Sequence, residues 1–354
     1  MKNFILNSKK ALTFCFLLAC TFTFAQTTVN NTPDTSADFT DLQAAIDAAT
    51  NGDIIYVQQS ATTYGTIIID KELTIIGRSH ADTGYKTTVG NVNFADGSSN
   101  TTLKGLKIGG ISYSGSGGTI TDLKFFDNDI SSFNLNTTHT YNNVLIQGNV
   151  MRSTFSIPAN MSNTLVTNNI FFSSSLSFAN PTSTLFSNNI MAYYNGPSFN
   201  NNSTGLLNID NCIFIGNSTN GNKTVNLYPN SGTIQVNNCV TYNYDAATTY
   251  TFATGAGITI NANNQENVDP LFTNVDIVNT PSIASPYNTT VYDPANDDLT
   301  LQGGSPVNDD GLFQGYNFKN FGIPTGYPSM KIDSYSSTVP KNSDLTVTIT
   351  AKTN

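Results

Sequence analysis

One five-residue phrase recurs six times through the middle of this chain, and it limits the possible folds more than any other feature. Its frame is apolar, polar, Asn or Gly, an Asn-like residue, then Ile or Val. It reads Phe126-Asp127-Asn128-Asp129-Ile130, Ile146-Gln147-Gly148-Asn149-Val150, Val166-Thr167-Asn168-Asn169-Ile170 and Phe186-Ser187-Asn188-Asn189-Ile190. It continues as Ile209-Asp210-Asn211-Cys212-Ile213 and Val236-Asn237-Asn238-Cys239-Val240, and the spacings are 20, 20, 20, 23 and 27 residues. A period of that length, made of short β-type runs and turns, is one coil of a solenoid. A second run travels with it. Phe133-x-Leu135, Phe155-x-Ile157, Leu176-x-Phe178 and Val225-x-Leu227 alternate apolar and polar, as half-buried strands do. The chain is therefore expected to be all-β, with at least two strands in each coil.

Stacking explains the asparagines. Equivalent residues of successive coils lie about 4.8 Å apart. Asn tolerates turn conformations, and its amide can bond the Asn above and below. The frame predicts one such column through Asp129, Asn149, Asn169 and Asn189, ending in Cys212 and Cys239. Cysteine favours burial, so the column is expected to face inward. Asp127 then falls in an outward polar column with Gln147, Thr167 and Ser187. Cys212 and Cys239, stacked on adjacent coils, are within disulfide range; two buried thiols are the alternative.

The first 25 residues read as a signal peptide. Lys2, Lys9 and Lys10 precede a short apolar run from Ala11 to Ala19, and Thr23-Phe24-Ala25 fits a cleavage site before Gln26. The run is too short to span a membrane, and no other segment is a candidate. A secreted or outer-cell-surface protein is expected. Leu17-Leu18-Ala19-Cys20 offers a lesser alternative, a lipoprotein acylated at Cys20. Beyond the leader, 12 Lys and Arg face 24 Asp and Glu, a net charge of −12. That excludes nucleic acid and other polyanions as partners, because those need clustered cations.

Residues 26–37 read as a flexible lead-in, 38–311 as the solenoid with its cap, and 312–354 as a C-terminal cap or tail. Thr40 is placed to cap a helix from 41 to 50, with Leu42, Ala45, Ile46 and Ala49 on one face and Gly52 ending it. Such a helix covers the apolar edge that an open solenoid end exposes. "GLFQGYNFKNFGIPTGYPSM" reads as a loop packed over the far end. "SDLTVTITAKTN" reads as one last strand, paired with the solenoid end or with something outside the chain.

"LQAAIDAATNGDIIYV", "GTIIIDKELTIIG" and the N-N-I and N-C-I coils resemble right-handed parallel β-helix proteins of the pectate-lyase-like superfamily. "VDPLF" at 268–272 with "LTLQGGSPVNDDG" at 299–311 resembles the closing coil of secreted bacterial members, and the leader ending "TFAQ" resembles those of Bacteroidota. The resemblance covers roughly residues 38–311 and implies a fold that hosts lyases, hydrolases, adhesins and other roles. Enzymes of this kind imply a polysaccharide along one face. Lyases pair a basic residue with Ca²⁺ or arginine, and hydrolases use paired carboxylates.

The middle of the chain lacks such groups. Between Ser153 and Gln265 only Asp210, Lys223 and Asp245 are charged, and there is no His. The catalytic candidates therefore lie earlier: Asp122, Lys124, Asp127 and Arg152, within a wider set that includes Lys104, Lys107, Asp129 and His139. Asp293, Asp297 and Asp298 are the candidates for calcium, although Asp-Pro and Asn-Asp turns account for them equally well. Otherwise no cofactor is expected. What remains is a neutral surface rich in hydroxyls and amides, with Tyr193, Tyr194, Tyr242 and Tyr244 as candidates to stack on sugar rings. The sequence favours a non-catalytic scaffold or adhesin for neutral or cell-surface glycan. A polysaccharide lyase or glycoside hydrolase is the alternative, and oligomeric state stays open.

Overall fold

The computed structural model describes residues 26–32, 37–78, 86–173, 175–192, 196–216, 221–244, 248–274, 298–307, 310–311, 329–335 and 347–352. Eleven parallel strands, from Gln26–Val29 to Ile258–Ile260, run in sequence order along the path of a first sheet. A second parallel sheet rises beside it. In that sheet Val150–Ile157 pairs with both Ile170–Phe171 and Ser175–Phe178, so each coil contributes a leading half and a trailing half. The chain is thus the expected parallel β-helix, with three sides.

The N-terminal end is closed as expected, with one shift. Asp41, not Thr40, is the N-cap: its Oδ1 accepts from the Ala44 N–H at 2.7 Å, and the helix spans Leu42–Ala48. An aspartate carboxylate is also the better partner for the positive end of the helix. Lys71 Nζ reaches the Ile46, Asp47 and Ala49 carbonyls at the other end. Residues 26–37 are not only a lead-in, since Gln26–Val29 pairs in register with Ile54–Val57.

Ten phenylalanines form a continuous line through the core: Phe94, Phe125, Phe133, Phe155, Phe171, Phe178, Phe186, Phe199, Phe214 and Phe252. Neighbouring ring centroids lie 5.1 to 6.2 Å apart. Edge-on and offset contacts of this kind add to the burial of large apolar rings.

The asparagine ladder exists, with its first member corrected. Phe125, not Phe126, pairs with Ile146, and Val150 pairs with Asp129. The first copy is therefore one residue out of the predicted frame, and a one-residue slip changes the face of every side chain. Asn128 occupies the ladder; Asp129 does not. Asp127 leaves the outward polar column and joins Gly148, Asn168, Asn188, Asn211 and Asn238 in a column of left-handed turns, with φ between 48° and 72°. Gly and Asn adopt that conformation at least cost, which is why the frame carries them there.

Each ladder amide serves its neighbours. Asn169 Oδ1 accepts from the Asn149 N–H at 2.9 Å and from Asn149 Nδ2 at 3.1 Å. Asn169 Nδ2 reaches the Ile146 and Thr167 carbonyls at 2.9 Å each and Asn189 Oδ1 at 3.0 Å. The line runs through Asn128, Asn149, Asn169, Asn189, Cys212 and Cys239, all fully buried, and ends at Asn264. Where cysteine stands, sulfur takes the amide's part: the Cys212 N–H donates to Cys239 Sγ at 3.3 Å, and Cys239 Sγ donates to the Asn237 carbonyl at 3.2 Å. Both thiols are free.

Among the described residues of 272–301, no further parallel strand follows. Phe272–Asn274 and Asp298–Leu301 pair antiparallel. Phe272, Leu299 and Val307 pack on Val150, Ile170, Ile190, Ile213 and Val240, which form a second apolar cluster. Their strand neighbours Met151, Phe171, Met191 and Phe214 belong to the main core. Alternate residues of a strand face opposite ways, so this second cluster lies outside the leading half of the second sheet. Gly311 anchors the fold-back through its N–H to the Asn211 carbonyl at 2.8 Å. The last strand, Val347–Lys352, pairs antiparallel with Ser329–Tyr335 rather than with a coil.

Candidate functional site

The outer face of the trailing half has a different chemistry from the others. Register places Asn91, Gly110, Ser132, Thr154, Ser175, Ser198 and Asn226 in one outward column. Asn93, Ser112, Asn134, Ser156, Ser177, Asn200 and Tyr228 form the other. Between them lie the inward residues Val92, Ile111, Phe133, Phe155, Leu176, Phe199 and Leu227, all buried. Neither column contains a charged side chain across seven coils. Side chains tie neighbouring coils: Asn200 Nδ2 donates to Ser175 Oγ at 2.9 Å, Asn202 Nδ2 to Ser177 Oγ at 2.7 Å, and Asn230 Nδ2 to Asn202 Oδ1 at 2.9 Å. The result is a partly pre-bonded array of hydroxyls and amides.

The charged candidates are distributed over other surfaces. Asp122 sits on the first sheet in a left-handed turn, where its Oδ1 accepts from Asn143 Nδ2 at 3.3 Å. Lys124 is exposed on the same sheet. Asp127 lies in the turn column, nearly buried, with Lys104 Nζ 3.8 Å away. Arg152 is on the leading half of the second sheet. It grips Asp129 with Nε to Oδ1 and Nη2 to Oδ2, both at 2.8 Å, and lies 5.5 Å above the Phe172 ring.

One imidazole–carboxylate pair was not foreseen. His139 Nε2 is 3.0 Å from Asp96 Oδ1, across the coil that carries Gly118. A Cβ at Gly118 would come 2.5 Å from that oxygen, so the bridge depends on glycine there. His139 is fully buried and its Nδ1 has no partner among the described residues, whereas the Asp96 side chain is 58% exposed.

The calcium candidates form no site among the described residues. Asp293 and Asp297 lie outside those residues, and Asp298 accepts from the Thr300 N–H and hydroxyl at 3.2 and 2.6 Å. No group of three potential metal ligands occurs among the described residues. No described helix is long and apolar enough to cross a membrane.

The aromatic candidates divide likewise. Tyr193 and Tyr194 fall outside the described residues. Tyr242 and Tyr244 meet edge to face at 4.9 Å, and Tyr244 packs against the second apolar cluster. Burial, then the nearby Asp269 carboxylate, raises the Tyr242 phenol above its ordinary range. These two rings therefore serve the C-terminal fold-back. In the outward columns of the polar face, the described aromatic ring is Tyr228, 48% exposed.

Burial, reinforced by Cys212, pushes the Cys239 thiol well above its ordinary range. Neither Cys212 nor Cys239 is expected to react with a thiol reagent near pH 8 in the native protein, and both are expected to react in urea. The check is a colorimetric thiol titration. Rapid native reaction would mean that the ladder is open at these rungs, and no reaction in urea without reductant would mean a disulfide.

No family model matches this chain, and no curated protein matches it in sequence.

Proposed function

We propose that this chain is an exported, non-catalytic scaffold of the pectate-lyase-like type that holds neutral glycan at the cell surface or outside it. The observation that carries the reading is the uncharged two-column face, set in a chain whose net charge is −9. A charged polymer would need opposite charges along that face. A neutral polyol needs donors and acceptors at regular intervals, together with apolar surface for its C–H faces. Parallel coils supply such intervals at about 4.8 Å. Two of the cations on the N-terminal coils are engaged elsewhere, Lys104 beside Asp127 and Arg152 on Asp129. That weighs against their use as catalytic bases or uronate neutralisers. The export part of the reading rests on the leader sequence.

The alternative, a polysaccharide-active enzyme on the N-terminal coils, is favoured by the Asp96–His139 pair alone. Release of reducing ends separates the two. The purified protein is expected to release none from a panel of neutral and acidic polysaccharides, with or without calcium. Release from any polymer that His139→Gln abolishes would overturn the scaffold reading.

A further inference from the structure

We infer that Tyr228 is the aromatic anchor of the glycan-holding face, the place where a neutral sugar ring stacks. This inference rests on the glycan reading above. From Asn93 to Tyr228 its column holds six Asn or Ser residues and this phenol, with Ile68 ahead of Asn93 at the N-terminal end. A Tyr ring combines a large apolar face with a polar tip, so it suits a partner that offers both C–H groups and hydroxyls.

Tyr228 is 48% exposed, unlike the ten phenylalanines inside the solenoid. Its hydroxyl has no hydrogen-bond partner among the described residues. Tyr242 and Tyr244, by contrast, are engaged with Asp269 and the apolar cluster beneath the C-terminal segment. The next coil carries Gly255 and Gly257, and a Cβ built at Gly255 would meet only Ile258 Cδ1, at 3.8 Å. Beyond Phe252 the next coil thus leaves open space at Gly255.

The neighbouring coil supplies the polar part. Asn200, beside Tyr228 in register, directs its Nδ2 to Ser175 Oγ and the Leu176 carbonyl, which turns its donor away along the array. Its Oδ1 is left as an acceptor for a ligand hydroxyl. Asn230, two residues beyond Tyr228, spends its Nδ2 on the Asn201 carbonyl and Asn202 Oδ1 in the same way. A ring on Tyr228 would therefore find carbonyl-type acceptors at its edge and no charge. That selects neutral sugars over uronates. A glycan lying along the axis would continue over Asn200, Ser177 and Ser156.

Affinity electrophoresis through gels containing a neutral or an acidic polysaccharide tests this. The wild-type protein is expected to be retarded by a neutral polymer. Tyr228→Ala is expected to weaken that retardation about tenfold in apparent Kd, the loss of one stacked contact, while Tyr228→Phe retains most of it. Tyr228 is at the surface, so the variants should fold, and an unchanged melting curve checks that. Retardation of wild type and Tyr228→Ala alike would overturn the assignment of Tyr228 and leave the glycan reading intact. If no neutral polymer retards the wild type, the glycan reading itself fails, and this inference with it.

Discussion

Asn169→Ala is expected to lower the stability of the solenoid by about 3–5 kcal/mol, the cost of a buried N–H left without an acceptor plus a small cavity. The substitution removes the Oδ1 that accepts from the Asn149 N–H, and it removes the donor to the Ile146 and Thr167 carbonyls. All of this lies at a rung with no water access, since Asn149, Asn169 and Asn189 are fully buried. Asn169→Asp keeps the acceptors but loses the donors, so it is expected to be destabilised as well. Thr167→Ala, on the outward side two residues earlier, is the control and is expected to stay within about 0.5 kcal/mol of wild type. Urea unfolding followed by circular dichroism reads all three. A loss below about 1 kcal/mol for Asn169→Ala would mean that the ladder follows the coils without holding them.

Phe155→Ala should cost about as much by a different route. Its ring meets Phe133 at 5.5 Å, Phe171 at 5.1 Å and Phe178 at 6.2 Å. Truncation opens a cavity between stacked coils that are tied by backbone hydrogen bonds and so collapse little; about 3–5 kcal/mol is expected. Because each coil leans on its neighbours, the loss is expected to appear as a lower thermal midpoint for the whole helix. Phe155→Leu is expected to recover most of it. A separate early transition with an unshifted main one would show that the coils on either side of Phe155 melt independently.

The solenoid was legible in the sequence because its turn and its ladder both demand a specific residue. A left-handed turn needs Asn or Gly, and a buried amide ladder needs Asn, so those letters recur. The first copy slipped because Phe125 and Phe126 are both apolar, and the outward position held by Phe126 is polar in the later coils. The ladder's last rung, Asn264, was missed because Gln265 follows it where the frame expects Ile or Val. The fold-back of "VDPLF" was not legible either, since an apolar run does not state which face it will cover.

The candidate face was hidden for a related reason. Its outward positions share a chemistry rather than a letter: Ser, Asn and Thr replace one another freely, so no repeat of identity marks them. The strand runs were seen at Phe133, Phe155 and Leu176, but Phe199-x-Asn201 was not, because Asn201 breaks the apolar pattern. Leu227 then pairs with Phe199, and Tyr228 follows Asn200 into the outward column. Without that register Tyr228 is one tyrosine among 16. The Asp96–His139 bridge joins residues 43 positions apart across the small side of Gly118, which no local spacing reveals.

The salt dependence of polysaccharide binding tests the central claim most directly. Apparent affinity for neutral and for acidic polymers would be measured from low to high sodium chloride. A charge-free face predicts binding to a neutral polymer that changes little with salt, because screening acts only on charges. Binding confined to acidic polymers and lost at high salt would contradict the account and move attention back to the lysines of the N-terminal coils.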